Sequence, residues 1–155
     1  MTNENIVYTD FGKIPEDEQL LIRKAEEATN NAYAPYSSFH VGAAILLDDD
    51  SIITGSNQEN AAFPSGLCAE RVAIFSIMNM YPNKKIKKIA VTARKKMADT
   101  YLPAAPCGGC RQVMLEQEVK QKNAIEVLFK TNDSWVKITS VSHLLPFSFN
   151  KNALK

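Results

Sequence analysis

The sequence predicts an α/β protein: a three-layer α/β/α sandwich with a mixed sheet of about five strands. Three observations predict it. Helical and extended segments alternate along the chain, which favours a central sheet covered on both faces. The chain has 155 residues, 45% of them hydrophobic, so one domain over residues 1–155 can bury its own core. No repeat, low-complexity tract or Gly/Ser linker divides it.

Residues 1–13 read as a loose arm. Pro15, Glu16 and Asp17 open a helix that runs to about Ala32. Proline suits a first helical turn, and acids there complement the helix dipole. Leu20, Leu21, Ala25 and Ala28 give this helix one buried stripe. Tyr33–Ser38 reads as a loop around Pro35. Phe39–Leu47 is an apolar strand, Asp48–Asp50 a turn, and Ser51–Gly55 a second strand, together an antiparallel hairpin. Pro64 and Gly66 keep Asn57–Leu67 irregular. Cys68–Met80 predicts a helix, Ile89–Thr92 a short buried strand, and Arg94–Pro106 a long loop. Cys110 to about Val119 is a third helix. Ile125–Phe129 and Trp135–Ile138 flank an Asn132–Asp133 turn as a strand pair. Val141–Phe149 is apolar without a clear periodicity.

Eighteen basic and seventeen acidic residues leave a net charge of +1. A dedicated nucleic-acid binder shows a basic excess, because phosphate neutralisation supplies its affinity. The expectation is no nucleic-acid partner. The longest apolar run, Val41–Leu47, is far too short to span a bilayer, and no membrane partner is expected. The polar, acidic start does not resemble a secretory signal. An odd cysteine count, three, makes a poor disulfide framework. These features together read as a reduced, cytoplasmic chain.

Cys107-Gly108-Gly109-Cys110 is a C-x-x-C. Such a pair serves as a redox dithiol, a structural zinc knuckle or part of a catalytic metal site. Cys68 is the only other thiol. His40 lies within a strand pattern and reads as a strand histidine. His143 reads as a surface or packing residue. If neither ligates, three thiolates remain with one open position, the arrangement of catalytic rather than structural zinc. Glu70, two residues past Cys68 at a helix start, can face that position without occupying it. Zinc lowers the pKa of a bound water from about 15.7 to about 7. A carboxylate beside it can take the water's proton and pass it on. Without the cysteines, Glu70 would read as an acid complementing a helix dipole. Three thiolates around a divalent ion leave a net negative charge, which weakens the ion as an acid. Arg71 and Gln112 are candidates to donate hydrogen bonds to sulfur and restore it.

Cys68-Ala69-Glu70 followed by Pro106-Cys107-x-x-Cys110 resembles the zinc nucleoside deaminases, in their three-cysteine form. The likeness is to the small homotetrameric cytidine deaminases. It extends to Ala34–Ala44, to Gly55–Ala61, to Cys68–Ile74, to Pro106–Val113 and to Leu144-Leu145-Pro146-x-x-Phe149, covering Glu16 to Phe149 in order. The resemblance implies a cytidine deaminase-like fold with one zinc ion per subunit on Cys68, Cys107 and Cys110, and Glu70 as proton shuttle. It implies Asn57 and Glu59 on the ribose 3′-hydroxyl, Phe39 on the pyrimidine ring, and the Ala69 N–H on the base O2. It places Phe149 in a neighbouring subunit's pocket. The implied activity is hydrolytic deamination of cytidine and deoxycytidine, as small-molecule nucleoside substrates, in pyrimidine salvage. Departures are Phe63 where tyrosine is common, Ala105 for a common serine, and the long Arg94–Pro106 loop. Two rivals remain: a structural zinc protein with a histidine as fourth ligand, and a deaminase of nucleic acid or of a nucleoside-like antibiotic.

Overall fold

A computed structural model describes residues 5–155. It contains one six-stranded sheet in the order β1-β6-β5-β4-β2-β3. The strands are β1 (Ile6–Tyr8), β2 (Phe39–Leu47), β3 (Ile52–Ser56), β4 (Ile86–Lys95), β5 (Glu126–Lys130) and β6 (Trp135–Ile138). The helices are α1 (Glu16–Ala28), α2 (Ala69–Met80) and α3 (Gly108–Gln121). β4 and β5 are parallel, and the remaining pairs are antiparallel. The mixed α/β/α architecture is the predicted one, with six strands in place of about five.

The sixth strand is β1. Part of the expected loose arm, Ile6–Tyr8, pairs antiparallel with Lys137–Trp135, and Phe11 packs edge-on against Trp135. Residues 1–4 of that arm lie outside the described residues. A three-residue strand amid polar neighbours has no period to read; its partner across more than 120 residues creates it.

Strand parity sorts the layers. Successive strand residues point to opposite faces. Ile45, Leu47, Ile89, Val91, Val127 and Phe129 join Ala73, Ile74, Ile77 and Met114 of α2 and α3 in one core. Ala44, Ala90, Leu128 and Trp135 join Leu21, Ile22 and Ala25 of α1 in the other. Small residues on β2 let α1 approach closely. Glu18 on α1 is buried, and its Oε1 accepts from Lys88 Nζ at 2.6 Å and Lys137 Nζ at 2.8 Å. This ion cluster ties α1 to β4 and β6 at once. Parity also divides two adjacent residues by function: Phe39 falls on the α2/α3 face, and His40 on the α1 face, where its Nδ1 lies 3.2 Å from the Thr29 carbonyl.

Candidate functional site

The site forms where α2 and α3 begin. Cys68 is the cap residue before α2, and Cys107 the cap residue before α3. Cys110 sits in the first turn of α3, fully buried. All three sulfurs lie within 4.8 Å of one another. Two sulfurs bound tetrahedrally to zinc at about 2.3 Å stand about 3.8 Å apart. Cys68 Sγ and Cys107 Sγ are 3.8 Å apart. The donor set therefore fits a zinc ion. Among the described residues neither histidine joins the cluster: His40 is across the sheet, and His143 Nδ1 lies 3.5 Å from Thr139 Oγ1. The structural-zinc rival loses its fourth ligand.

Charge within the cluster is uneven in the metal-free chain. A hydrogen bond from the Cys110 thiol, helped by Arg71, pulls Cys68 down to about 5. The same contact, together with burial, raises Cys110. Arg71 Nη2 lies 3.7 Å from Cys68 Sγ. Its Nε is buried without an acceptor. Gln112 does something else. Its Nε2 donates to the Phe149 carbonyl at 2.9 Å and so holds the C-terminal segment. Arg111, which the sequence reading passed over, acts similarly: Nε donates to the Pro106 carbonyl at 2.8 Å and Nη1 to the Leu144 carbonyl at 3.1 Å. It braces the turn that presents Cys107. Its place next to Cys110 was the available signal.

Glu70 lies in the first turn of α2, 4% exposed. Burial raises its carboxyl to about 7 in the metal-free chain, with the nearby Cys68 charge adding to the effect. It lines a cavity of about 910 Å³ together with Cys68, Cys107, Phe39, Asn57 and Glu59. Ala69 is the first residue of α2, where a backbone N–H has no intrahelical acceptor. Phe149 is 59% exposed and does not line the cavity of its own chain.

The two polar residues of the Gly55–Ala61 segment have internal partners. Asn57 Oδ1 accepts from Val41 N at 2.8 Å and its Nδ2 donates to the Phe39 carbonyl at 2.9 Å. Its side chain thereby extends the β2–β3 pairing by one rung. Glu59 accepts from the Tyr36 and Ser37 backbone N–H groups and from the Ser37 hydroxyl. Those bonds, the serine's foremost, hold its carboxyl below the ordinary range. Ser37 Oγ in turn accepts from Phe39 N at 3.0 Å, next to Ser38 in the left-handed region at φ 56°. Glu59 thus shapes the turn that delivers Phe39 to the cavity.

Three thiols from two helix starts, beside a buried carboxyl and under an open cavity, make this a zinc enzyme by construction. The family model for the cytidine and deoxycytidylate deaminase zinc-binding region matches residues 15–125, and the chain belongs to that family. The cytidine deaminase of Sporosarcina psychrophila is 39% identical over 139 residues, 89% of this chain and 95% of that protein. The cytidine deaminase of Halalkalibacterium halodurans is 46% identical over 100 residues, 64% of this chain and 71% of that protein. The crystal structure of the cytidine deaminase of Burkholderia pseudomallei superposes with a TM-score of 0.70 at 38% identity, covering 88% of this chain and 100% of that one.

Proposed function

We propose that this chain catalyses the hydrolytic deamination of cytidine and deoxycytidine to uridine and deoxyuridine, releasing ammonia, in pyrimidine salvage in the cytoplasm. The observation that carries the reading is the three-sulfur cluster beside buried Glu70, with Cys68, Cys107 and Glu70 on the wall of one cavity. Cys68, Cys107 and Cys110 hold zinc, and Arg71 draws charge from Cys68. Bound zinc supplies the Lewis acidity that makes water a nucleophile near neutral pH. Glu70 takes a proton from the attacking water and delivers it to ring N3; it then takes the remaining hydroxyl proton of the C4 adduct and gives it to the amino group, which leaves as ammonia while the C4 carbonyl forms. Phe39 packs on the pyrimidine face, and the Ala69 N–H donates to the base O2. Burying the base between these walls holds C4 next to its attacker.

Glu59 and Asn57 serve the ribose end. Because both have protein partners in the free chain, an absent ribose does not strand them. The sugar is recognised through spare acceptor capacity on Glu59 and through the turn it shapes. Replacing Glu59 by Gln presents an amide N–H to backbone donors. The expected result is a KM raised about tenfold or more with kcat largely kept, since each charge-assisted bond is worth about 1.5–3 kcal/mol. Steady-state kinetics on cytidine check it; an unchanged KM removes Glu59 from sugar binding.

The family embraces nucleotide as well as nucleoside deaminases. The cavity favours a nucleoside. Among the described residues Arg71 is the one cation lining it, and that guanidinium is engaged with Cys68. Glu59 adds negative charge at the sugar end, where a 5′-phosphate would meet it. The deciding experiment is an ultraviolet assay on cytidine and deoxycytidylate, before and after chelation, with zinc content measured in parallel. Cytidine turnover should vanish with the zinc and exceed deoxycytidylate turnover by about 100-fold. Turnover surviving complete metal removal refutes the reading.

The reading includes a homotetramer, with Phe149 entering a neighbour's pocket. Supporting it, Tyr36, Phe63 and Phe75 are exposed beside the cavity or on α2, alongside Phe149. Light scattering should return about four times 17.2 kDa.

A further inference from the structure

We propose that the chain carries a second ligand site, for a small phosphate-bearing anion, on the sheet face opposite the sulfur cluster. A cavity of about 360 Å³ lies there, walled by Tyr33, Pro35, His40, Arg94, Lys96 and Met97. That volume falls within the range of small-molecule pockets.

Arg94 is the centre of the argument. It is half-buried at the end of β4. Its Nε donates to Thr29 Oγ1 at 2.9 Å, Nη1 to the Ala98 carbonyl at 2.9 Å, and Nη2 to Asn30 Oδ1. All three acceptors are uncharged. The guanidinium is therefore fixed in orientation with no carboxylate among its hydrogen-bond acceptors. Five N–H groups less three leave one free on each terminal nitrogen. Lys96 adds a second cation, and among the described residues neither it nor Arg94 forms an ion pair. Among the described residues no carboxylate lines the cavity. His40 completes the set. A carbonyl can only accept, so the Nδ1 facing Thr29 O carries the proton, and Nε2 becomes a donor when the ring is protonated. The two free guanidinium N–H groups of Arg94 and the ammonium of Lys96 suit a group with three or more acceptor oxygens better than a two-oxygen carboxylate.

The site also gives the long segment after β4 a purpose. Lys96 and Met97 form the outer wall, with Met97 held at φ 62° and 85% exposed. A methionine in the left-handed region is an outlier that needs a reason. The chain returns where Leu102 N donates to the Ala93 carbonyl at 2.7 Å. It then runs through Pro103–Ala105 along the wall of the catalytic cavity. Tyr33–Pro35 continue in the same way into Tyr36 and Ser37 of that cavity. The two cavities thus share both bordering segments, one on each side of the sheet.

The test uses zinc-loaded protein labelled at the methionine methyls, titrated with inorganic phosphate and separately with adenosine 5′-monophosphate. The expected result is a saturable shift of the Met97 methyl, with buried Met114 unmoved. Lys96→Glu, an exposed substitution, should weaken that binding about tenfold or more while cytidine turnover persists. Tighter binding of the nucleotide than of phosphate would identify the ligand's source as a nucleotide, and the reverse a free phosphate. A Met97 methyl indifferent to both, or a Lys96→Glu variant that binds like the wild type, overturns the proposal.

Discussion

Replacing Glu70 by Gln is expected to leave zinc bound and to cut cytidine turnover by about 10³–10⁴-fold, the upper range for loss of a general acid–base group. The two side chains have the same size, so a position 4% exposed accepts the amide without a void. The amide cannot accept the proton that Glu70 moves. It lies outside the sulfur set, so zinc content by atomic absorption should match the wild type. A variant keeping more than about one-tenth of wild-type turnover removes Glu70 from the mechanism. The pH dependence has a definite sign. Only the carboxylate form accepts a proton, so kcat/KM falls as pH drops through the Glu70 pKa. Burial sets that pKa at about 7 in the metal-free chain. In metal-free protein the stability effect runs opposite to that of an ion-paired carboxylate. The folded chain binds the Glu70 proton more tightly than the unfolded chain, whose carboxyl titrates near 4.5. Stability therefore falls as pH rises from about 4.5 toward 7, relative to Glu70→Gln. Parallel denaturant titrations of the two metal-free proteins read that difference.

The chemistry-bearing residues were legible because their spacing is local. Cys68 and Glu70 share a helix start, as do Cys107 and Cys110. Strand runs such as Phe39–Leu47 were legible from apolar length. What stayed hidden depends on partners far along the chain. Lys88 and Arg94 sit in β4 but break its apolar pattern, which confined the predicted strand to Ile89–Thr92; Glu18 on α1 and Thr29 just past its end are what accommodate them. Gln112 looked like a donor to sulfur because it follows Cys110 by two residues, yet helical geometry turns it toward Phe149. Asn57 and Glu59 stand where the resemblance places sugar contacts, but a sequence carries no sign that their side chains also close the β2–β3 gap and the Tyr36–Ser38 turn. Polar side chains with backbone partners are the systematic blind spot, since each bond joins segments that neither sequence motif mentions.

Replacing Gly42 by Ala should destabilise the protein by about 3 kcal/mol or more, at or beyond the upper end of ordinary overpacking. Gly42 lies on β2, paired with Thr92 and Ser56, with its missing side chain facing α1. A Cβ there would stand 1.9 Å from the Ala25 carbonyl oxygen and 2.9 Å from Thr29 N. Both obstacles are backbone, so no rotamer change relieves them; α1 must lift from the sheet. Lifting it uncovers Leu21, Ile22 and Ala25, each no more than 1% exposed. It also strains the contacts of Glu18 with Lys88 and Lys137, and a buried charge parted from its partners costs about 3–5 kcal/mol. In a chain of this length the thermal midpoint should fall by roughly 10 °C. Gly12→Ala is the control, because its Cβ meets nothing nearer than the Asp10 carboxylate at 3.4 Å. The sulfur cluster lies on the other sheet face, so folded Gly42→Ala protein should still take up zinc and hold cytidine with little change in KM. A midpoint within about 2 °C of the wild type would mean that α1 does not ride on β2 as closely as the 1.9 Å clash requires.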